Sequence, residues 1–274
     1  MGNERTFENY VADQITELNS KGIQLLKEGE FAHGAEIFLE AMTLLLLSEV
    51  KGDDISPATE YLAIDVLAEE TTDGENHVSC SSYKQGCYSR QRRKATEKGR
   101  IYSVAIPNCN KTASTLSNDV YQFFDRAIGA ETMGLPSSYE DKLLIIGVLS
   151  YNIGLAYHLG GVYLCKSSLL TSALEYYNMA FKILDDMLSS QTTASAVGRM
   201  TKLPLLAALN NIGHIHAYHC SYSCAEEYCE EIAYHLESIG CLQLNAVASE
   251  EETDIFIQNA CFYPRSEEIS AAAA

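Results

Sequence analysis

Residues 203–239 read LPLLAALNNIGHIHAYHCSYSCAEEYCEEIAYHLESI and determine the predicted fold. Their first half is an apolar helix that contains the tripeptide Asn-Ile-Gly, ending at Gly213. Residues 220–223 interrupt the helical pattern, since Ser and Tyr lower helix preference and Ser can cap a new helix. A second helix opens at Ala225, twelve residues after Gly213. Because a small residue allows close approach, the stretch predicts a hairpin of two tightly packed helices.

Two upstream stretches repeat this spacing of small and aromatic residues. Asn-Ile-Gly recurs with its last residue at Gly154. Near the N-terminus, Gly22 is followed by a small residue after twelve positions, by Phe38 after sixteen and by Ala41 after nineteen. The copy with Gly154 needs seven additional residues between its helices, around residues 160–161, to keep the pattern. The three copies together predict three helix hairpins.

The spacing of these copies resembles the tetratricopeptide (TPR) repeat, in which Gly, a small residue, Phe and Ala stand at fixed offsets. No copy carries the Trp of that pattern, and none ends in its usual Pro. The resemblance covers about half of the chain. It implies an all-α protein, a TPR-like α-α superhelix of three antiparallel helix hairpins with a long, partly disordered insertion after the first. The alternative is an unrelated helical bundle with chance glycine spacing.

Composition divides the chain into four predicted parts. Residues 71–100 bury little apolar surface and predict disorder. Residues 101–107 alternate like a strand, and residues 120–128 form either a second strand or a short helix, so a small β-hairpin is predicted there. The parts are 1–70 (first hairpin plus an extra helix), 71–137 (insertion, mostly disordered or irregular), 138–262 (second and third hairpins plus a capping element) and 263–274 (frayed tail).

The 274-residue chain carries a formal net charge of −18. This charge disfavours nucleic acid and anionic membranes as partners, because both are densely negative, and leaves basic or neutral proteins as compatible partners. The nine Cys and the polar N-terminus without a signal-peptide pattern predict reduced thiols in an intracellular, most simply cytoplasmic, protein. No apolar run reaches the ~20 residues that span a bilayer, so no membrane span is predicted.

Two short motifs bear on location. The basic cluster of Arg90, Arg92, Arg93 and Lys94 is a candidate nuclear-localisation element, and a solvated loop is the alternative. The first six residues fit the acceptor pattern for N-myristoylation at Gly2, and an ordinary frayed N-terminus is the alternative.

The strongest sign of chemistry is His214-x-His216-x-x-His219-Cys220, with Cys229 nearby. Zinc favours such ligands, but structural zinc sites usually join two Cys pairs, and His214 lies on a different side of the helix from His216. In the register of the TPR resemblance, His216 and Cys229 take packing positions. The sequence also lacks a phosphate-binding loop, a nucleophile elbow and an HExxH motif. We therefore predict no enzyme activity, cofactor or metal.

The TPR resemblance implies that the first helix of each hairpin lines a peptide-binding groove. An Asn amide both donates and accepts, which suits the main chain of an extended peptide, and Tyr adds a large contact area. Alternatively, Asn152 and Asn211 bond only a neighbouring helix, since a buried amide must find a partner. The groove positions carried over are Asn19, Ile23 and Leu26 in the first copy, Tyr151, Asn152, Leu155 and His158 in the second, and Asn210, Asn211, His214 and Tyr218 in the third.

Together these patterns predict a non-catalytic adaptor or scaffold that recognises a peptide or protein segment in the groove. The alternative from another class is a metal-binding or regulatory enzyme subunit that uses the His/Cys cluster at residues 214–229. A structural subunit of a larger assembly is a third hypothesis.

Overall fold

A computed structural model describes residues 2–49, 101–107, 121–130, 138–190, 196–239, 244 and 247–262. Within these ranges the chain forms seven helices and one two-stranded sheet, so the predicted all-α class is confirmed. The elements are α1 (Gly2–Glu28), α2 (Phe31–Glu49), β1 (Ile101–Ala105), β2 (Arg126–Ala130), α3 (Tyr139–Leu164), α4 (Ser167–Ser190), α5 (Ala196–Tyr218), α6 (Tyr222–Ile239) and α7 (Glu250–Phe262). The predicted extra helix, the basic cluster at residues 90–94 and the frayed tail lie outside the described residues.

The helices pack in chain order from α1 to α6, and α7 packs against α6 and α5. Tight turns join the pairs α1–α2, α3–α4 and α5–α6. Each turn contains one residue in the left-handed region of backbone space: Gly29 (φ 82°), Cys165 (φ 53°) and Cys220 (φ 57°). Residues in this conformation commonly end helices. The break predicted at residues 220–223 therefore falls at Cys220.

The second hairpin differs from the prediction. The sequence pattern places additional residues between its helices, whereas Gly160 and Gly161 both lie inside α3. Cys165 follows Gly154 by eleven residues, while the turn residues of the other two hairpins follow their glycines by seven. The additional residues lengthen both α3 and α4. A helix repeats every ~3.6 residues, so adding about one turn to each helix keeps the same faces in contact.

Close approach of the paired helices depends on glycines that face aromatic rings. A Cβ atom added at Gly22 would lie 2.5 Å from the Phe38 ring, and one added at Gly154 would lie 2.8 Å from the Tyr177 ring. Phe38 and Tyr177 are both fully buried. The glycine of the first helix and the ring of the second helix therefore determine how closely each pair packs.

The third hairpin obtains its aromatic ring from another part of the chain. Cys229 stands sixteen residues after Gly213, where the first hairpin has Phe38. Tyr121 packs against Gly213 and forms a small buried cluster with Ala225 and Cys229. Burial raises the pKa of the Cys229 thiol to about 12, so Cys229 stays neutral. Tyr121 thereby fills the space that the short Cys229 side chain leaves.

Strands β1 and β2 pair antiparallel, with Ser103 opposite Ile128 and Val104 opposite Ala127. This pairing confirms the strand alternative for the second stretch of the insertion, although β2 begins at Arg126 rather than near residue 120. The sheet packs against α1 and α3. Side chains of the helices bind one edge of the residues that precede β2, and the Ile106 N–H bonds Asp125 on the other edge.

In the part of the chain that the structure describes, helices α2 and α3 are long and apolar enough by length and composition to cross a membrane. The most apolar part of α3 is 83% buried by the rest of the protein. A central helix of a helical stack has the same length and composition, so this property is weak evidence for a membrane span.

Replacing Gly154 by Ala tests the glycine–ring contact. Tyr177 is fully buried and cannot move away, so we expect Gly154→Ala to lower the free energy of unfolding by about 1–3 kcal/mol. Gly160→Ala on the same helix is the control, because its Cβ would lie 3.6 Å from its nearest neighbours. That variant should be neutral or up to about 1 kcal/mol more stable, since Ala favours helix. Urea unfolding of both variants measures the difference, and equal midpoints would contradict this packing role.

Candidate functional site

Residues 121–130, here called the extended segment, are held along one edge by asparagine side chains. At Ile128, the Asn152 amide oxygen accepts from the main-chain N–H (2.9 Å) and its NH2 group donates to the carbonyl (2.8 Å). Asn211 makes the same two bonds with Phe124, at 3.1 Å each. Each amide thus supplies the donor and the acceptor that a neighbouring strand would supply.

Helix side chains also bind the main chain at two more positions of the extended segment, Arg126 and Gln122. The Tyr151 hydroxyl donates to the Arg126 carbonyl (2.8 Å). At Gln122, Asn259 of α7 accepts from the N–H (2.9 Å) and donates to the carbonyl (2.8 Å), and Asn210 donates to the same carbonyl (2.9 Å). Helices α3, α5 and α7 therefore bind successive positions along the segment.

The opposite edge of the extended segment faces β1. Ala127 lies opposite Val104, and the Ile106 N–H donates to the Asp125 carbonyl (3.1 Å). Hydrogen-bonding groups of successive residues in a strand point to opposite edges. Even-numbered positions from 122 to 128 therefore face the helices. Without the side-chain partners, buried main-chain groups would remain unbonded, at about 1–3 kcal/mol each.

The amides are themselves held by other buried groups. Asn152 also donates to the Asn19 amide oxygen (2.9 Å), and Asn19 donates to the Ile128 carbonyl (3.4 Å). Asn211 also donates to the Tyr177 hydroxyl (3.1 Å). Burial raises the pKa of Tyr177 well above its ordinary value of 10.0, so this hydroxyl stays protonated and can donate in turn.

Tyr177 continues into a pair of buried histidines. The Tyr177 hydroxyl lies 3.3 Å from His158 Nδ1, and His158 Nε2 lies 3.1 Å from His214 Nδ1. Burial lowers the pKa of His158 well below 6.5 and that of His214 to about 4. Both rings are neutral at pH 7. The Tyr177 hydroxyl accepts from Asn211, so it can donate to His158, and His158 can then donate to His214.

Side chains of the extended segment contact the helices on both of its faces. Phe123 packs on the two rings of the histidine pair, with centroid distances of 4.3 Å to His158 and 5.0 Å to His214. Phe124 is fully buried and stacks on Phe256 of α7, at 5.1 Å and an interplanar angle of 24°. The two adjacent rings therefore enter two different environments.

Arg126 makes the charged contact of the site. Its guanidinium lies 2.5 Å from Glu251 and 3.9 Å from Glu252. Glu252 is buried, and its carboxylate accepts from the Ser249 N–H (2.6 Å) and hydroxyl (2.8 Å) while the Ser249 hydroxyl accepts from the Glu252 N–H (3.3 Å). This reciprocal arrangement is a capping box at the start of α7. It fixes the position of the Glu252 carboxylate that lies beside Arg126.

Most of the predicted groove residues meet at the extended segment. The structure places seven of them there, through direct contact with the segment: Asn19, Tyr151, Asn152, His158, Asn210, Asn211 and His214. Three others, Ile23, Leu26 and Leu155, belong to the hydrophobic core between helices, and Tyr218 is partly buried next to His219. Asn152 bonds Asn19 of a neighbouring helix, as the alternative predicts, and it also bonds the chain's own extended segment; peptide binding by this residue stays a prediction.

Sequence reasoning missed Asn259 and the role of Tyr177 in the network. Asn259 lies in the predicted capping element, and its signal is an Asn within an apolar helical stretch, the feature that also marks Asn152 and Asn211. Tyr177 stands at the aromatic position of the second copy, and residue spacing carries no information on the partner of its hydroxyl.

The His/Cys cluster at residues 214–229 does not converge. The described residues contain no group of three His, Cys, Asp or Glu side chains placed to hold a metal ion. His216 stacks on Tyr228 at 5.5 Å, whereas His214 turns toward His158. The two histidines serve separate contacts, because they lie on different sides of α5.

Comparison with protein-family models, with curated proteins and with solved structures finds no match to this chain. The assignment of a function therefore rests on the geometry of the site.

Replacing Asn211 by Leu tests the amide contact. We expect Asn211→Leu to lower the free energy of unfolding by about 2–5 kcal/mol, because the Phe124 main chain and the Tyr177 hydroxyl lose buried partners worth about 1–3 kcal/mol each. Asn178→Leu on the exposed side of α4 is the matched control and should change stability by less than about 0.5 kcal/mol. Chemical unfolding gives both values. A similar small effect in the two variants would show that the Asn211 amide does not stabilise the fold.

The histidine pair predicts a loss of stability in mild acid. The folded pKa values lie below the ordinary 6.5, so the unfolded chain binds more protons, and stability falls as pH drops from 6.5 towards about 4. Each histidine contributes up to about 1.4 kcal/mol per pH unit. Burial raises the pKa of Asp125, which acts in the opposite sense in this window.

Comparison with His214→Gln and with the double variant His158→Gln/His214→Gln isolates the contribution of the pair. The slope of unfolding free energy against pH should decrease in the single variant and again in the double variant. An unchanged slope would show that the pair does not titrate on unfolding.

Proposed function

We propose that the chain is a non-catalytic protein-binding adaptor with a TPR-like helical stack, whose first helices bind an extended peptide by its main chain. The observation that carries this proposal is the set of two-point contacts from Asn152, Asn211 and Asn259 to the extended segment. These contacts use main-chain groups that every residue except Pro carries. The same amides therefore suit a peptide from another protein.

The TPR-like assignment is supported by packing as well as by spacing. Gly22 meets Phe38 and Gly154 meets Tyr177, at the Gly and Phe positions of the repeat pattern. The amides of Asn152 and Asn211 lie on the first helices of their hairpins. The TPR resemblance implies that first helices line the peptide-binding groove, so these two amides would face it.

The competing hypothesis is a structural role, in which the amides serve the extended segment alone. Mutation of an asparagine does not separate the two hypotheses, because it would weaken the bound peptide and the chain's own segment alike. A change in the peptide affects the incoming ligand only. Methylation of a peptide N–H removes one donor and preserves the side chains, so it tests binding through the main chain directly.

The experiment is a selection of random displayed peptides on the immobilised full chain and on its Phe123→Ala variant, whose extended segment is held less tightly. Selected peptides are then synthesised with a single N-methyl group at each position. We expect affinity to fall at least about tenfold, or about 1.4 kcal/mol, at alternate positions that face the amides.

Two outcomes would overturn the proposal. One is that neither immobilised protein selects a peptide. The other is that the selected peptides bind equally well whichever single position carries the N-methyl group. Such peptides would bind a surface other than the amide-lined face, which is the surface formed by Asn152, Asn211 and Asn259.

A further inference from the structure

The extended segment shows which side chains the amide-lined face accepts, an inference that rests on the proposed function. Phe124 and Arg126 are two residues apart in extended chain, so their side chains point to the same face. Both contact α7: Phe124 stacks on Phe256, and Arg126 pairs with Glu251 and Glu252. Helix α7 therefore contacts both side chains, while Asn211 of α5 and Asn152 of α3 bind the main chain at positions 124 and 128.

The contacts on α7 are arranged to receive this pattern together. Glu252 and Phe256 are four residues apart, which places them on the same side of a helix. The capping box with Ser249 fixes the Glu252 carboxylate, whereas Glu251 is largely exposed and carries its charge in solvent. The helix therefore presents an aromatic platform and, one turn away, a pair of carboxylates.

A second aromatic position lies on the other face of the extended segment. Phe123 packs over the rings of His158 and His214, which are neutral because they are buried. A neutral ring pair suits an apolar side chain, and a charged residue there would lose its hydration without gaining a partner. The position before Phe124 is therefore also selective for an aromatic ring.

We propose that the partner is a peptide with two adjacent aromatic residues and an Arg two positions after the second one, and that the extended segment competes with it for the same contacts. The net charge of −18 favours a basic partner of this kind. The extended segment is tethered to its binding site, so its effective concentration is high. The partner consequently binds weakly until the chain's own segment is loosened.

The test uses a fluorescent synthetic peptide with the sequence of residues 121–130 and the full chain in three forms. The forms are wild type, Arg126→Gln, which removes the segment's own charged contact, and Phe124→Ala, which removes its stacked ring. We expect the peptide to bind either variant at least about tenfold more tightly than wild type. Arg126→Gln changes a partly exposed ion pair, so it keeps the experiment informative if Phe124→Ala does not fold, as judged by circular dichroism.

Altered peptides test the specificity on the Arg126→Gln protein. Replacing the peptide residue that corresponds to Phe124 by Ala, or the one that corresponds to Arg126 by Glu, should weaken binding at least about tenfold. N-methylation at the position of Phe124 should do the same, while N-methylation at the position of Phe123, whose N–H points to the other edge, is the matched control.

The outcomes separate this inference from the proposed function. If binding depends on N-methylation at Phe124 but not on the aromatic and Arg side chains, the specificity inference is wrong and main-chain binding stands. If the wild type binds the peptide as tightly as the folded variants, the extended segment does not compete and the inference is overturned. If no folded form binds the peptide, the inference is overturned too, while selection of random peptides decides the proposed function separately.

Discussion

The main chain of residues 122–128 packs against helices along one edge, and its polar groups need partners there. A strand edge buried against helices is normally unfavourable, because helices have no free main-chain groups to offer it. Asn152, Asn211 and Asn259 solve this problem with amide side chains that copy the donor and acceptor of a neighbouring strand. The arrangement also relates three helices to one another, since each must present its amide at the right position along the segment.

Tyr177 links this polar contact to the packing of the helices. Its ring lies against Gly154 and sets the distance between α3 and α4, while its hydroxyl accepts from Asn211 and reaches His158. A change in helix packing would therefore move a group on which the amide network depends. Polar networks of this kind are stable when every member is satisfied, and costly when one member is lost.

The extended segment contributes packing contacts to the helices, and the helices in turn bind its main chain. Tyr121 supplies the ring that the third hairpin lacks, because Cys229 is too short to reach Gly213. The segment also contacts α7, where Arg126 places a positive charge beside the Glu251 and Glu252 carboxylates of a strongly acidic protein. A peptide that replaced the segment would have to satisfy the same main-chain bonds and the same side-chain contacts.

Residue spacing along the chain predicted the helical class and the pairing of neighbouring helices into hairpins correctly. These properties are local, since residue spacing along a helix decides which side chains share a face. Tertiary structure alone decided what the asparagines bind: Asn211 and Phe124 are 87 residues apart, and Asn152 and Asn19 are 133 apart. It also placed the additional residues of the second hairpin inside its helices, and brought Tyr121 and Asn259 to the site. An Asn within an apolar helix indicates that its buried amide needs a hydrogen-bond partner. The identity of that partner depends on which segment the folded chain brings within hydrogen-bonding distance.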